Sequence, residues 1–254
     1  MKETMYYRPA SVEDAVALLG KGVPLAGGTD LLRSEKKPDA CIDLQDLGLD
    51  AIEVSDRIRI GAMVRLQQLV EAGDDVSPAL ARACIDERGW NLRNMRTVGG
   101  SVAASNGRSP AMTVLLSMKP EVVLAPGDKK VPVVEVFADR KSTLKGKLIL
   151  ELVMVKPAAS AYAQVARTPK DLPIVCAGVS RFPDGTWGVA LGGFGDAPIR
   201  VPEAEKALAG NAGAEKVRAA VQQAYNDAED GWASGEYRAE AAAVLVARLA
   251  QEVG

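Results

Sequence analysis

Two short segments hold the residues best able to do chemistry, Ala26-Gly27-Gly28-Thr29-Asp30-Leu31 and Thr97-Val98-Gly99-Gly100-Ser101. Each joins a glycine pair to hydroxyl residues, between an apolar strand-like run and a polar stretch. Paired glycines turn the backbone sharply and, having no Cβ, let its N–H groups approach a bound anion. One such segment marks many ordinary turns. Two of them, about 70 residues apart counting from Gly27 to Gly99, could flank one diphosphate from both sides. The first has neither the G-x-G-x-x-G spacing nor the P-loop lysine, so a phosphate there would rest on backbone N–H groups and the Thr29 hydroxyl. That suits a long dinucleotide gripped at many points better than a triphosphate. The residues alone leave two readings open, a nucleotide clasp or two ordinary tight turns.

Composition removes most other chemistry. The chain of 254 residues has no histidine, which excludes Ser-His-Asp and Cys-His catalysis and every His-ligated metal site. Cys41, Cys84 and Cys176 are far apart in apolar settings and form no C-x-x-C pair, so neither a cluster nor a metal is expected in this chain. No catalytic residue is assigned; any redox chemistry would belong to a cofactor. A net charge of −2 without a basic block argues against nucleic acid as a partner. No apolar run reaches the ~18–20 residues of a membrane span, and the start lacks the apolar core of a secretory signal. A cytoplasmic protein without membrane insertion is expected.

The elements that must position the two segments follow from capping and periodicity. Ser11 caps a short helix that Gly20 stops, and Val23–Ala26 is a buried strand running into the first segment. Cys41–Leu44 reads as a strand, and Ile52–Val54 and Ile58–Ile60 pair around Ser55-Asp56. Helices are expected from Arg65 to Gly73, and from Ser77-Pro78 with Leu80, Ala81, Cys84 and Ile85 inward. A third follows the second Gly-Gly segment, with Leu115, Leu116 and Met118 inward. Val122–Ala125 and Val131–Val134 flank the turn Pro126-Gly127-Asp128 as two strands, and Leu148–Val155 is a long buried strand. Pro157-Ala158-Ala159 marks the boundary between residues 1–156, with lobes of about 1–54 and 55–156, and residues 157–254. Beyond it come strands near 162–166, 174–180 and 187–191, a strand-end turn at Gly192–Gly195, and helices at 202–209, 214–228 and 236–251. Strands followed by helices make that part α+β.

These residues resemble the FAD-binding subunit of molybdenum hydroxylases, the xanthine dehydrogenase and carbon monoxide dehydrogenase group. In that family an A-G-G-T/H-D/S-L turn and a T-I/V-G-G-N turn clasp the FAD diphosphate. Tyr7–Ala15, Ile60-Gly61-Ala62 and Leu92-Arg93-Asn94 look like further family segments, in the family's order. So do Arg167 with Asp171, and Asp230 through Arg238. The resemblance implies an α+β chain: a two-lobed α/β FAD-binding module of the vanillyl-alcohol-oxidase (PCMH) type, then a C-terminal α+β domain of a small antiparallel sheet with helices. It assigns cofactor contacts to Ala26, Gly27, Gly28, Thr29, Asp30, Leu31, Thr97, Val98, Gly99, Gly100 and Ser101. It also implies a large molybdenum–pterin partner subunit, a small partner with [2Fe–2S] clusters, and an acceptor such as NAD, in a xanthine-dehydrogenase-like complex.

Departures from the family lie mainly around the second segment. Ser101 stands in place of the usual Asn, Pro110 in place of an Asp, Asn106-Gly107 in place of Ser-Pro, and Ala163 in place of a Lys. Arg108 could reach a phosphate or be a solvated loop arginine. Arg200 and Arg238 could lie near the flavin or equally form ordinary surface pairs. Tyr162, Trp187 and Phe194 are candidates for packing near the flavin or in the core. The four-cysteine insert of the 4-hydroxybenzoyl-CoA reductase branch is absent. A flavin-free scaffolding subunit and a stand-alone flavin oxidase are the alternatives.

Overall fold

The computed structural model describes residues 4–33, 37–87 and 89–254. The first lobe holds β1 (Met5–Tyr7), α1 (Val12–Leu18), β2 (Val23–Leu25) and β3 (Ala40–Asp43). Its three strands form a parallel sheet in the order β1-β3-β2. Ser11 caps α1 by accepting the Asp14 N–H, as its residue type requires. Ala15, Ile42 and Leu44 make a small core under this sheet.

The second lobe begins with β4 (Ile52–Val54) and β5 (Arg57–Gly61), followed by α2 (Leu66–Ala72), α3 (Pro78–Glu87), α4 (Trp90–Arg93), α5 (Val98–Ala104) and α6 (Pro110–Ser117). It closes with β6 (Glu121–Ala125), β7 (Lys129–Pro132), α7 (Val133–Ala138), α8 (Arg140–Thr143) and β8 (Leu148–Val155). The five strands form an antiparallel sheet in the order β4-β5-β8-β6-β7. Ile58, Ile60, Leu152 and Met154 pack with Leu80, Met112, Leu115 and Leu116 in one core. Burying each of the larger side chains contributes roughly 2 kcal/mol before entropy is counted.

Three local expectations are corrected. Val133-Val134 opens α7 rather than extending a strand, because Pro132 has no N–H for the ladder and ends β7. Ile85 is exposed while Leu80 and Cys84 are fully buried, so the inward stripe of α3 is narrower than its sequence suggests. The segment Thr97–Ser101 is no loop: Thr97 caps α5 and Val98–Ser101 are its first turn.

The remaining chain forms β9 (Ala159–Val165), β10 (Val175–Arg181), β11 (Trp187–Gly192), β12 (Ile199–Arg200), α9 (Pro202–Ala209), α10 (Ala214–Tyr225) and α11 (Gly235–Val253). Its antiparallel sheet, ordered β12-β11-β10-β9, buries one face on the closing helices through Val179, Leu191, Val221 and Leu249. The other face lies on α6, every residue of which is buried. Gly178, Gly188 and Gly192 make that approach possible: a Cβ at Gly178 would stand 3.0 Å from Val114 Cα, and one at Gly188 would overlap the Ser117 carbonyl oxygen. The α+β architecture with two sheets ahead of a third follows the sequence expectation. Among the described residues no helix is long and apolar enough to cross a membrane, and no cluster of metal-ligating side chains occurs.

Candidate functional site

The tertiary structure brings the two glycine pairs together. The Gly27–Asp30 turn lies against the backbone of Met95 and Arg96, just ahead of the Thr97 cap. A Cβ at Gly27 would overlap the Met95 carbonyl oxygen and stand 3.3 Å from Arg96 Cα. A Cβ at Gly100 would stand 3.8 Å from the Ala26 Cβ across the gap. Gly28 has φ +68°, a conformation few side chains tolerate. Between the lobes runs a cleft of about 500 Å³, within the range of small-molecule sites. Ala26–Leu31, Thr97 and Gly99–Ser101 line it, with apolar walls from Leu25, Met63 and Leu148.

The two segments offer different chemistry. None of the N–H groups of Gly27, Gly28, Thr29 and Asp30 donates to a protein acceptor among the described residues, and the Thr29 hydroxyl has no partner there either. In the second segment the four N–H groups from Val98 to Ser101 are already used. Val98 donates to Val64 O and Gly99 to Ala62 O, both at 2.8 Å, while Gly100 donates to Thr97 Oγ1 at 3.2 Å and Ser101 to Thr97 O at 2.9 Å. Val98 is fully buried in the core and points away from the cleft. The two segments are therefore unequal as backbone donors: capping and packing consume those from Val98 to Ser101. What that segment presents to the cleft is small surfaces, while Ser101 Oγ is enclosed, with no hydrogen-bond partner among the described residues. A buried, unsatisfied hydroxyl is costly, and here it lies in a residue that lines the cleft. The unspent N–H donors of the first segment and the glycine cradles fit a bound diphosphate.

The cations that line the cleft are Arg96 and Lys147. Arg96 is nearly buried and pairs with Asp30 at 3.0 Å and Glu87 at 3.4 Å. Glu87 also accepts from Ser109 Oγ and the Ala111 N–H, fixing the start of α6. A second, polar recess of about 420 Å³ adjoins the cleft and shares Asp30, Arg96 and Ala104 with it. Sequence reading passed over Arg96, Glu87 and Lys147. An arginine set directly before an apolar helix start was the available signal for the first.

Other expectations are corrected by burial. Arg108 is neither a phosphate ligand nor a solvated arginine. It donates to Asp230 at 2.5 Å and Pro173 O at 3.2 Å and lies 3.9 Å from the Trp232 ring centroid. Arg238 is fully buried rather than superficial and donates to Ile174 O, Gly193 O and Asp230. Asp230 thus joins the second lobe to the C-terminal helices. Desolvation, the largest influence, opposes its charge, but the Trp232 N–H and the Arg238 and Arg108 guanidinium groups outweigh it and hold the carboxyl below its usual range. Arg200 is half-buried and paired with Glu205. Tyr162, Trp187 and Phe194 line neither recess. Tyr162 donates to Gln164, and Phe194 lies under Arg238.

Comparison with known proteins agrees with this geometry. The model of the FAD binding domain in molybdopterin dehydrogenase matches residues 2–156, and that of the CO dehydrogenase flavoprotein C-terminal domain matches residues 160–253. An uncharacterised protein of Escherichia coli (strain K12), YgfM, is 31% identical over 96% of this chain and 94% of its own. The xanthine dehydrogenase FAD-binding subunit of Escherichia coli O157:H7 is 30% identical over 50% of this chain and 49% of its own. A reconstituted CO dehydrogenase from Oligotropha carboxidovorans superposes with a TM-score of 0.86 at 25% identity, covering 99% of this chain and 97% of that one. With an unspent row of N–H donors on a turn that lines the cleft, and family matches over both halves, this chain belongs to the FAD-binding flavoprotein subunits of the molybdenum hydroxylase family.

Proposed function

We propose that this chain holds FAD in the cleft between its two N-terminal lobes and serves as the electron-transfer subunit of a multisubunit molybdenum hydroxylase. The observation that carries the reading is the row of four N–H groups on Gly27–Asp30, without acceptors among the described residues, on a turn that lines the cleft. The site residues are Ala26, Gly27, Gly28, Thr29, Asp30 and Leu31 on one side, with Thr97, Gly99, Gly100 and Ser101 on the other. Val98 contributes by packing α5 into the core. Bound FAD would supply the redox chemistry, taking electrons from [2Fe–2S] clusters of a small partner and passing them to an acceptor, NAD in our reading. The chain's own residues bind the diphosphate, exclude water with the apolar walls, and fix the lobes to the C-terminal domain through Asp230. Residues 1–156 form the flavin module, and residues 157–254 the domain that braces it.

Substrate would be oxidised at a molybdenum–pterin centre on a large partner subunit, so no acid, base or nucleophile is required here. A xanthine-dehydrogenase-like complex in the cytoplasm is the finer reading, and it is tested by what co-purifies. Expression with its partners should give a yellow complex containing molybdenum and iron, which reduces NAD when a purine is supplied. The purified chain should take up one FAD, with quenching of flavin fluorescence. A chain that cannot be reconstituted with FAD overturns the proposal and favours a scaffolding subunit. Turnover of a substrate by the isolated chain would instead favour a stand-alone oxidase.

A further inference from the structure

We propose that Arg96 is a positioning residue for the diphosphate turn, acting on the ligand through Asp30 by cancelling that carboxylate's charge. The inference rests on the reading of the cleft as an FAD site. Asp30 sits on the same turn as the open N–H donors and lines the cleft. A carboxylate there opposes a doubly charged diphosphate by Coulomb repulsion, which falls only as the inverse of distance, and which salt screens because 44% of the Asp30 side chain is exposed. Arg96 Nη2 lies 3.0 Å from Asp30 Oδ2 and 3.3 Å from Ser105 Oγ, and Nη1 lies 3.4 Å from Glu87 Oε1. The guanidinium is nearly enclosed, with 7% of its side chain exposed, and it borders both recesses. One cation is thus shared by two carboxylates, Glu87 within the protein and Asp30 on the ligand turn. Its backbone abuts Gly27 and precedes the Thr97 cap, so the charge is delivered where both glycine pairs meet.

The test measures FAD affinity of the full apo chain by quenching of flavin fluorescence, at low and high sodium chloride, beside a thermal melt. The E87Q/R96M variant removes one carboxylate and the cation together. It should bind FAD at least about tenfold more weakly at low salt, with a smaller deficit at high salt. Adding Asp30→Asn to that pair should bring affinity back to within about threefold of wild type, a rescue that a merely structural role for Arg96 would not give. Asp30→Asn alone keeps the Arg96–Glu87 pair and should bind FAD at least about twofold more tightly, and this decides the matter if E87Q/R96M does not fold. Weaker binding by Asp30→Asn, or a folded E87Q/R96M variant within twofold of wild type, overturns the inference alone. A wild-type chain that binds no FAD overturns both the inference and the reading beneath it.

Discussion

Replacing Asp230 by Ala removes the one carboxylate that holds two arginines from different parts of the chain. Arg238, fully buried on α11, loses a contact of 2.6 Å, and Arg108, ahead of α6, loses one of 2.5 Å. The Trp232 N–H also loses its acceptor. Breaking a buried pair by removing one partner costs about 3–5 kcal/mol. Asp230 keeps 28% of its side chain exposed, so water can reach part of the vacated site, and Arg238 retains two carbonyl acceptors. A loss of about 2–3 kcal/mol follows, which for a chain of this size lowers Tm by about 4–12 °C. The pH dependence carries the sign. A carboxyl held below its usual pKa stabilises the fold above the unfolded value of about 3.9, and that stability is lost as pH falls through the folded value. Differential scanning calorimetry at pH 7 should therefore show the full deficit, and the gap between wild type and variant should close as the pH falls below about 4. FAD affinity should stay within about threefold, since Asp230 lines neither recess. An Asp230→Ala chain melting within 2 °C of wild type at pH 7, or a gap that persists unchanged to pH 3, would refute the reasoning.

Gly27→Ala places a Cβ on the Met95 carbonyl oxygen and must push the two glycine turns apart; isothermal titration should show FAD affinity falling at least about 100-fold. Ser101→Ala removes an enclosed hydroxyl that has no hydrogen-bond partner among the described residues, so the apo chain should melt at or slightly above the wild-type temperature in scanning calorimetry. Cys41, Cys84 and Cys176 are all buried. Desolvation raises the thiol pKa of Cys84 and, to about 12, that of Cys176. Ellman's reagent at pH 8 should find no reactive thiol in the native chain and three in guanidinium. Saturating FAD should raise Tm with the logarithm of its concentration, and a Tm unchanged by FAD would contradict ligand-linked stability.

Local chemistry wrote much of this fold into the sequence. Ser11 and Ser77 each accept the N–H that their position before a helix predicts, and the run Leu148–Val155 emerges as β8. Caps and strands depend on near neighbours, so they are legible from a single chain. The two glycine pairs were legible as a candidate site for the same reason, since turn chemistry is local. Which donors remain open was not legible. The N–H groups of Val98 and Gly99 are spent on Val64 and Ala62, residues more than thirty positions away, and only the folded chain decides that. The same holds for charge. Arg96, Arg108 and Arg238 look alike in sequence, yet Asp30 reaches Arg96 and Asp230 reaches Arg108 across the fold, while the nearer Glu87 and Asp230 enclose Arg96 and Arg238. A side chain's type sets what it can bond, while long-range packing sets what is left to bond, and that second quantity distinguishes the Ala26–Leu31 turn from its partner.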